Sequence, residues 1–343
     1  MSSEKKGPVS QKVVMVGTGG TIAGLSLIPG TGGAYRAAQV SVEDLLAQAE
    51  HNTRSRLLSP RESRSTTPVV TEQLVQVDSK DMTEAIWQRL LARLWQLQQD
   101  PTVQAVVITH GTDTLEETGF LLQACWPQGK PVVLTCAMRP ADAPDADGPG
   151  NVRDALMLAS VSGLRGVVMV CAGEVFEGHS FQKVWAHGLQ PFATEPGGSI
   201  GVCRPGRFEP RRAIDLDGAY PALTPTELSR VLSAPCWPRV EIVLNHVGAD
   251  GRVVKALMEQ SATEPHPHKL RGIVLAGTGQ GTCSERLSHA LQAAHQQGVR
   301  VWRSTRAAWG SVHPREDEVF TAVPWSPVKA RVAMMLELLS GRH

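Results

Sequence analysis

Two glycine- and threonine-rich segments carry most of the chemistry legible in this chain. The first, Thr18-Gly19-Gly20-Thr21-Ile22-Ala23-Gly24, follows directly on the apolar run Val13–Val16. Glycines there let the backbone approach a ligand closely, and exposed amides can hold a carboxylate or an oxyanion. Thr21 would present a hydroxyl from that turn. The second, His110-Gly111-Thr112-Asp113-Thr114-Leu115-Glu116-Glu117-Thr118, follows the apolar run Val103–Thr109. Taken alone it reads as a capping box opening a helix, with Asp113 paired to Glu116 or Thr114 to Glu117. Two threonine turns at the ends of two strands change that reading, because they can converge on one cleft. Hydroxyl, carboxylate and backbone amides together suit acyl transfer.

Competing chemistries fit less well. The first turn reads GTGGTIAG, which lacks the GxGxxG spacing of a dinucleotide fingerprint, and no Lys-Ser or Lys-Thr follows to make a P-loop. The six cysteines show no CxxC pair and no zinc spacing, and several lie in apolar runs as small buried hydrophobes. His266 and His268, separated by a proline, read as a surface loop, and His110 as an organiser of its turn. Nothing in the sequence suggests a metal or an organic cofactor.

These turns need strands to hold them. Val13–Val16, Val103–Thr109, Pro131–Thr135, Gly166–Val170, Glu241–Leu244, Gly272–Leu275 and Val299–Trp302 are apolar throughout, as in strands covered on both faces. Between them, Ile86, Leu90 and Leu94 recur every four residues and Trp87, Leu91 and Trp95 widen the stripe, predicting a helix over 83–98 with Asp81 and Glu84 as its capping pair. Thr224-Pro225-Thr226-Glu227 signals another helix start. Alternating strands and helices imply an α/β protein with right-handed crossovers. The chain has 343 residues, and about 150 per domain gives two. Prolines, glycines and mixed charge over 204–238 mark the boundary: an N-terminal α/β domain over 1–210 with a larger parallel-type sheet, a linker over 211–238, and a smaller α/β domain over 239–343.

A formal charge of +1 argues against a broad nucleic-acid or membrane surface. No apolar run reaches the roughly 18 residues a membrane span requires. Lys5 and Lys6 ahead of Val13–Val16 loosely mimic an export signal, but the apolar stretch is short and runs into the glycine turn, so it reads as a first strand. The expected compartment is the cytoplasm, or the periplasm if an export signal has been removed.

The segments Thr18–Gly24 and His110–Thr118 resemble the two signatures of the bacterial L-asparaginase family. Asp78-Ser79-Lys80-Asp81-Met82, Ala137-Met138-Arg139-Pro140, Ala146-Asp147-Gly148-Pro149 and Pro327-Val328-Lys329-Ala330-Arg331 extend the resemblance over about 12–337. The Ala-Met-Arg-Pro and Ala-Asp-Gly-Pro stretches resemble the type II branch. The resemblance implies hydrolysis of L-asparagine to aspartate and ammonia. Thr21 would be the nucleophile and Tyr35, in the glycine-rich loop Pro29–Ala34 of the sort used as a lid, its activator. Thr112, Asp113 and Lys183 would form a second triad, with Lys183 and Asp113 as a buried ion pair. Ser79 and Asp113 would hold the α-carboxylate and α-amino groups, and Ala137 would line the amide pocket through its backbone. A homotetramer is implied, each site completed by a neighbour, with Gly277–Gly281 as a turn against the partner's site.

Three positions depart from the family pattern. Lys80 stands where many type II enzymes carry glutamine, and would either add a contact to the α-carboxylate or face solvent. The loop that should deliver a neighbour's carboxylate is shortened, leaving Glu316 and Glu318 as candidates. Gly248 replaces the family's second asparagine, which leaves the choice between asparagine and glutamine open. A broad glutaminase-asparaginase and a non-catalytic amino-acid-binding protein on the same fold are the alternatives.

Overall fold

The computed structural model describes residues 11–31, 34–56, 67–126, 128–194, 197–214, 220–315 and 318–342. The chain divides into two compact units, 1–218 and 219–343.

The first unit opens with β1 (Lys12–Gly19), a short antiparallel pair β2 (Leu25–Ser26) and β3 (Tyr35–Arg36), helix α1 (Val42–Arg56) and β4 (Val69–Val77). Then come α2 (Glu84–Gln99), β5 (Val103–Thr109), α3 (Leu115–Cys125), β6 (Val132–Thr135), α4 (Gly148–Ala159) and β7 (Val167–Cys171). The strands β8 (Glu174–Glu177), β9 (Gln182–Lys183), β10 (Phe192–Ala193), β11 (Gly201–Arg204) and β12 (Arg207–Pro210) complete it. Its eight-stranded sheet runs β12-β11-β8-β7-β6-β5-β1-β4, parallel from β4 to β7 and antiparallel beyond.

The apolar runs predict the five parallel strands except β4. Its sequence, Val-Val-Thr-Glu-Gln-Leu-Val-Gln-Val, mixes polar with apolar residues because it forms the sheet edge and is only partly buried. Val13, Met15, Ala105, Val107 and Val133 pack with Leu45 and Ala49 of α1 and Val152 and Ala155 of α4. The alternate residues Val14, Val16, Val106 and Ile108 point to the opposite face and are buried as well. Helix α2 buries Trp87, Leu90, Leu91, Leu94 and Leu97. Truncating a fully buried leucine such as Leu90 to alanine would cost about 2–5 kcal/mol. The helix starts one residue later than its pattern predicts and is capped by Thr83, whose hydroxyl accepts from the Ile86 N–H, rather than by Asp81 and Glu84.

Chain order places the site. From β1 the chain crosses to β4 on one side, then returns to β5 on the other. The sheet therefore changes winding direction between β1 and β5, and ligands of such sheets bind outside the carboxyl ends of the strands at that point. Both threonine turns stand there.

The second unit contains α5 (Pro225–Ser233), β13 (Arg239–Leu244), α6 (Arg252–Thr263), β14 (Leu270–Gly277), α7 (Glu285–Gln296), β15 (Arg300–Thr305), β16 (Thr321–Ala322) and α8 (Pro327–Ser340). Its four strands are parallel in the order β13-β14-β15-β16. Thr224 and Glu227 form the capping box of α5, inside the stretch that composition marks as a linker.

Candidate active site

The two turns meet backbone to backbone. Gly20 has φ +84°, and a Cβ there would lie 2.3 Å from both Cα and N of Gly111. Only glycine allows that approach, so the pairing of Gly20 with Gly111 fixes the distance between the turns. The Thr18 hydroxyl also donates to the Thr109 carbonyl at 2.8 Å, tying the strand ends together. The expected convergence of the signature segments is present.

Thr21 opens a short 3₁₀ turn, Thr21–Ala23, and is 8% exposed. Its Oγ1 lies 2.9 Å from the Tyr35 hydroxyl. Tyr35 comes from β3, is 41% exposed, and lays its ring over Gly24, where a Cβ would come within 3.0 Å of Tyr35 Cδ2. Gly24 of the signature thus makes room for the tyrosine. Of the loop Pro29–Ala34, Gly32 and Gly33 lie outside the described residues.

The second turn is held more tightly. Lys183, on β9, donates from Nζ to Thr112 Oγ1 at 2.8 Å and to Asp113 Oδ1 at 2.6 Å. An ammonium only donates, so Thr112 accepts from Lys183 and its own proton is directed elsewhere. Thr112 is buried, but the ion pair is not: the Asp113 side chain is 52% exposed and that of Lys183 17%. The expectation of a buried pair is corrected, because Asp113 stands at the helix start facing outward.

No side-chain capping box forms at α3. The Thr114 hydroxyl donates instead to the Ser79 carbonyl at 2.8 Å, and the Asp113 N–H to Ser79 Oγ at 3.1 Å. Ser79 is 3% exposed in its own short turn, Ser79–Asp81, and a Cβ on Gly111 would strike its Oγ at 2.4 Å. Lys80, beside it, is 64% exposed and pairs with Asp78 and, at 3.8 Å, with Asp81. Ala137 follows β6 and is fully buried. The backbone after it is fixed by Asp147, whose carboxylate accepts the N–H groups of Met138 and Arg139, both at 3.0 Å.

His110, read from the sequence as an organiser of its turn, does this from a buried position. His110 is fully buried, with Nδ1 2.7 Å from the Gly111 carbonyl and Nε2 3.1 Å from the Thr118 hydroxyl. A carbonyl only accepts, so Nδ1 carries the proton and Nε2 accepts from Thr118, which accepts in turn from the Trp87 indole at 3.0 Å. Burial pushes the His110 pKa down to about 4, so the ring is neutral near pH 7 and this relay is intact. The turn-ordering role was legible in the sequence, whereas the relay through Thr118 to Trp87 was not.

In the second unit, Glu318 lies 3.7 Å from both Arg303 and Arg315, while Glu316 lies outside the described residues. The turn Gly277–Gly281 is held internally by backbone pairing of Thr278 with Thr282 and by Arg303, which is 1% exposed and donates to the Gln280 carbonyl at 2.8 Å. Gly248 has φ +80°, and the neighbouring Asn245 accepts from the Ser284 N–H at 3.2 Å. His266 and His268 are exposed.

Comparison with known proteins matches residues 12–214 to the N-terminal asparaginase family model and residues 239–343 to the glutaminase/asparaginase C-terminal domain. L-asparaginase 2 of Escherichia coli is 31% identical, with 95% of this chain and 88% of that protein covered. A glutaminase-asparaginase of Pseudomonas fluorescens is 30% identical over 95% of this chain and 86% of its own length. Among solved structures, a probable cytoplasmic L-asparaginase from Campylobacter jejuni superposes with a TM-score of 0.81 at 27% identity, covering 96% of this chain and 95% of that one.

Proposed function

The chain belongs to the asparaginase family, on its type II-like side, and is an amidohydrolase of that kind; from that premise we propose that it hydrolyses L-asparagine to L-aspartate and ammonia through an acyl-enzyme on Thr21. The observation that carries the reading is the 2.9 Å contact of Thr21 Oγ1 with the Tyr35 hydroxyl, beside a second threonine held by Lys183 and Asp113.

In this account the Tyr35 oxygen takes the Thr21 proton as Oγ1 attacks the side-chain amide carbon, and the proton Tyr35 gives up passes to the amide nitrogen, which then leaves as ammonia. The tetrahedral adduct collapses by expelling ammonia, leaving a β-aspartyl ester on Thr21. Water then adds to the ester, releasing aspartate and restoring the hydroxyl. Ser79 accepts from the Asp113 N–H, which leaves its own O–H to donate to the substrate α-carboxylate. Asp113, half exposed at the cleft, offers its free carboxylate oxygen to the α-ammonium. Lys183 keeps Thr112 oriented and adds positive charge near the developing oxyanion. Ala137 lines the amide pocket through its backbone. Lys80, paired with Asp78 and Asp81, is the binding candidate least available to substrate.

A glutaminase-asparaginase is the second reading: Gly248 in place of the family's second asparagine leaves the preference open, and the Pseudomonas relative carries that name. We also infer a homotetramer of cytoplasmic location. The named location of the Campylobacter protein and the six free cysteines support the compartment; a Haemophilus influenzae relative named as periplasmic is the counterexample. No helix among the described residues is long and apolar enough to cross a membrane. Ammonia release from L-asparagine and L-glutamine, measured side by side for wild type and Thr21→Ala, tests the reading. Release from asparagine that the substitution abolishes supports it, and substantial activity in Thr21→Ala removes Thr21 as nucleophile.

A further inference from the structure

Resting on that hydrolase reading, we propose that Asp142 is a positioning residue that anchors the β2–β3 pair and so places Tyr35 on Thr21. Its Oδ1 accepts both the N–H and the hydroxyl of Ser26, each at 2.8 Å, and its Oδ2 accepts the Gly30 N–H at 3.3 Å. Ser26 stands directly opposite Tyr35 in the antiparallel register. The connection therefore runs from Asp142 through Ser26 to Tyr35 and on to the Thr21 hydroxyl, and every link is a hydrogen bond or a register pair.

The β2–β3 pair needs such an anchor. Two strands of two residues are not stable by themselves in water. This pair and the residues that follow β2 have little apolar burial of their own, since Leu25, Leu27, Ile28 and Tyr35 are all exposed, from 40% to 68%. The fixed points come from the segment that Asp142 occupies. Ala141 donates its N–H to the Gly24 carbonyl at 2.8 Å, and Asp147 at the other end of the segment fixes the backbone beside Ala137. One stretch of chain thus ties the amide-pocket wall to the strand that carries the activating tyrosine. The Ser26 N–H holds the Asp142 carboxyl below the usual carboxylate range, so the anchor is charged at neutral pH.

The test uses Asp142→Ala, Asp142→Asn, Tyr35→Phe and the double variant Asp142→Ala/Tyr35→Phe in the full chain. Ammonia release from L-asparagine gives kcat and KM, and hydrogen exchange reads the amides of Ser26 and Gly30. Asp142→Ala should lower kcat by about 10- to 100-fold, with KM changing much less, and should speed exchange at both amides. Asp142→Asn, which keeps one acceptor oxygen for Ser26, should recover part of the loss. In the Tyr35→Phe background, Asp142→Ala should add little, because both act through the same hydroxyl. Wild-type kcat in Asp142→Ala, a multiplicative loss in the double variant, or unchanged exchange would each overturn the proposal. If the wild type releases no ammonia, the hydrolase reading is what fails, and exchange at Ser26 and Gly30 still decides whether Asp142 holds the pair.

Discussion

The two threonine turns lie at neighbouring strand ends and touch through Gly20 and Gly111, yet they are held in opposite ways. Thr112 rests on fixed parts: Lys183 and Asp113 in front, and behind them the buried relay Trp87–Thr118–His110–Gly111. Thr21 takes its side-chain partner from a short, largely exposed pair of strands anchored by one aspartate. Function of the proposed kind explains the difference. A binding surface gains from rigidity, whereas the group that activates the nucleophile must move aside to admit substrate, and movable segments belong to the less stable parts of a fold.

That contrast can be broken by substitution. The largest effect is expected for Tyr35→Phe, which should lower kcat by about 10² to 10⁴-fold while leaving the melting temperature nearly unchanged, because Tyr35 packs little. Lys183→Met should lower kcat by about 10² to 10³-fold and raise KM as well, since Lys183 orients both Thr112 and Asp113; steady-state kinetics separates the two patterns. Equal KM effects would remove the distinction between the turns.

Gly20→Ala strikes both sides at once. Its left-handed backbone alone would cost about 1–3 kcal/mol with a side chain present, and the Cβ collides with Gly111. Thermal melting should show the loss, together with reduced kcat. A variant that keeps wild-type stability would contradict the backbone contact.

The smallest effect concerns pH. His110 sits near 4 in the folded chain against 6.5 unfolded, so between those values the unfolded state binds the additional proton. Stability from this group is complete above about pH 6.5 and is lost as pH falls towards 4, by about 3 kcal/mol at most. Asp154, pushed up to about 6 by burial, works in the other direction. The comparison that isolates His110 is therefore wild type against His110→Asn: urea midpoints between pH 7 and 4.5 should fall less in the variant.

The strands and the two turns were legible because apolar runs and glycine clusters are local signals. Edge strand β4 was not, since an edge needs burial on fewer sides and tolerates Glu72, Gln73 and Gln76. The antiparallel strands β8, β11 and β12 are short and irregular in sequence, and their pairing is set by tertiary contact. Lys183 gives no sign of its partner, which lies about 70 residues away in the chain, and only the family resemblance reached it. Asp142 is one of four aspartates over 142–154, and nothing local in the sequence singles it out. Its role depends on Ser26, far away in sequence. The same distance explains the buried histidine relay, whose members come from α2, α3 and the end of β5.

The central claim is that Thr21, and not Thr112, carries the acyl group. Acid quenching of the protein during turnover with L-asparagine, followed by peptide mass spectrometry, tests it directly. An aspartyl ester on the peptide containing Thr21, absent from Thr21→Ala, is the predicted result. An ester on the peptide containing Thr112 would contradict the account.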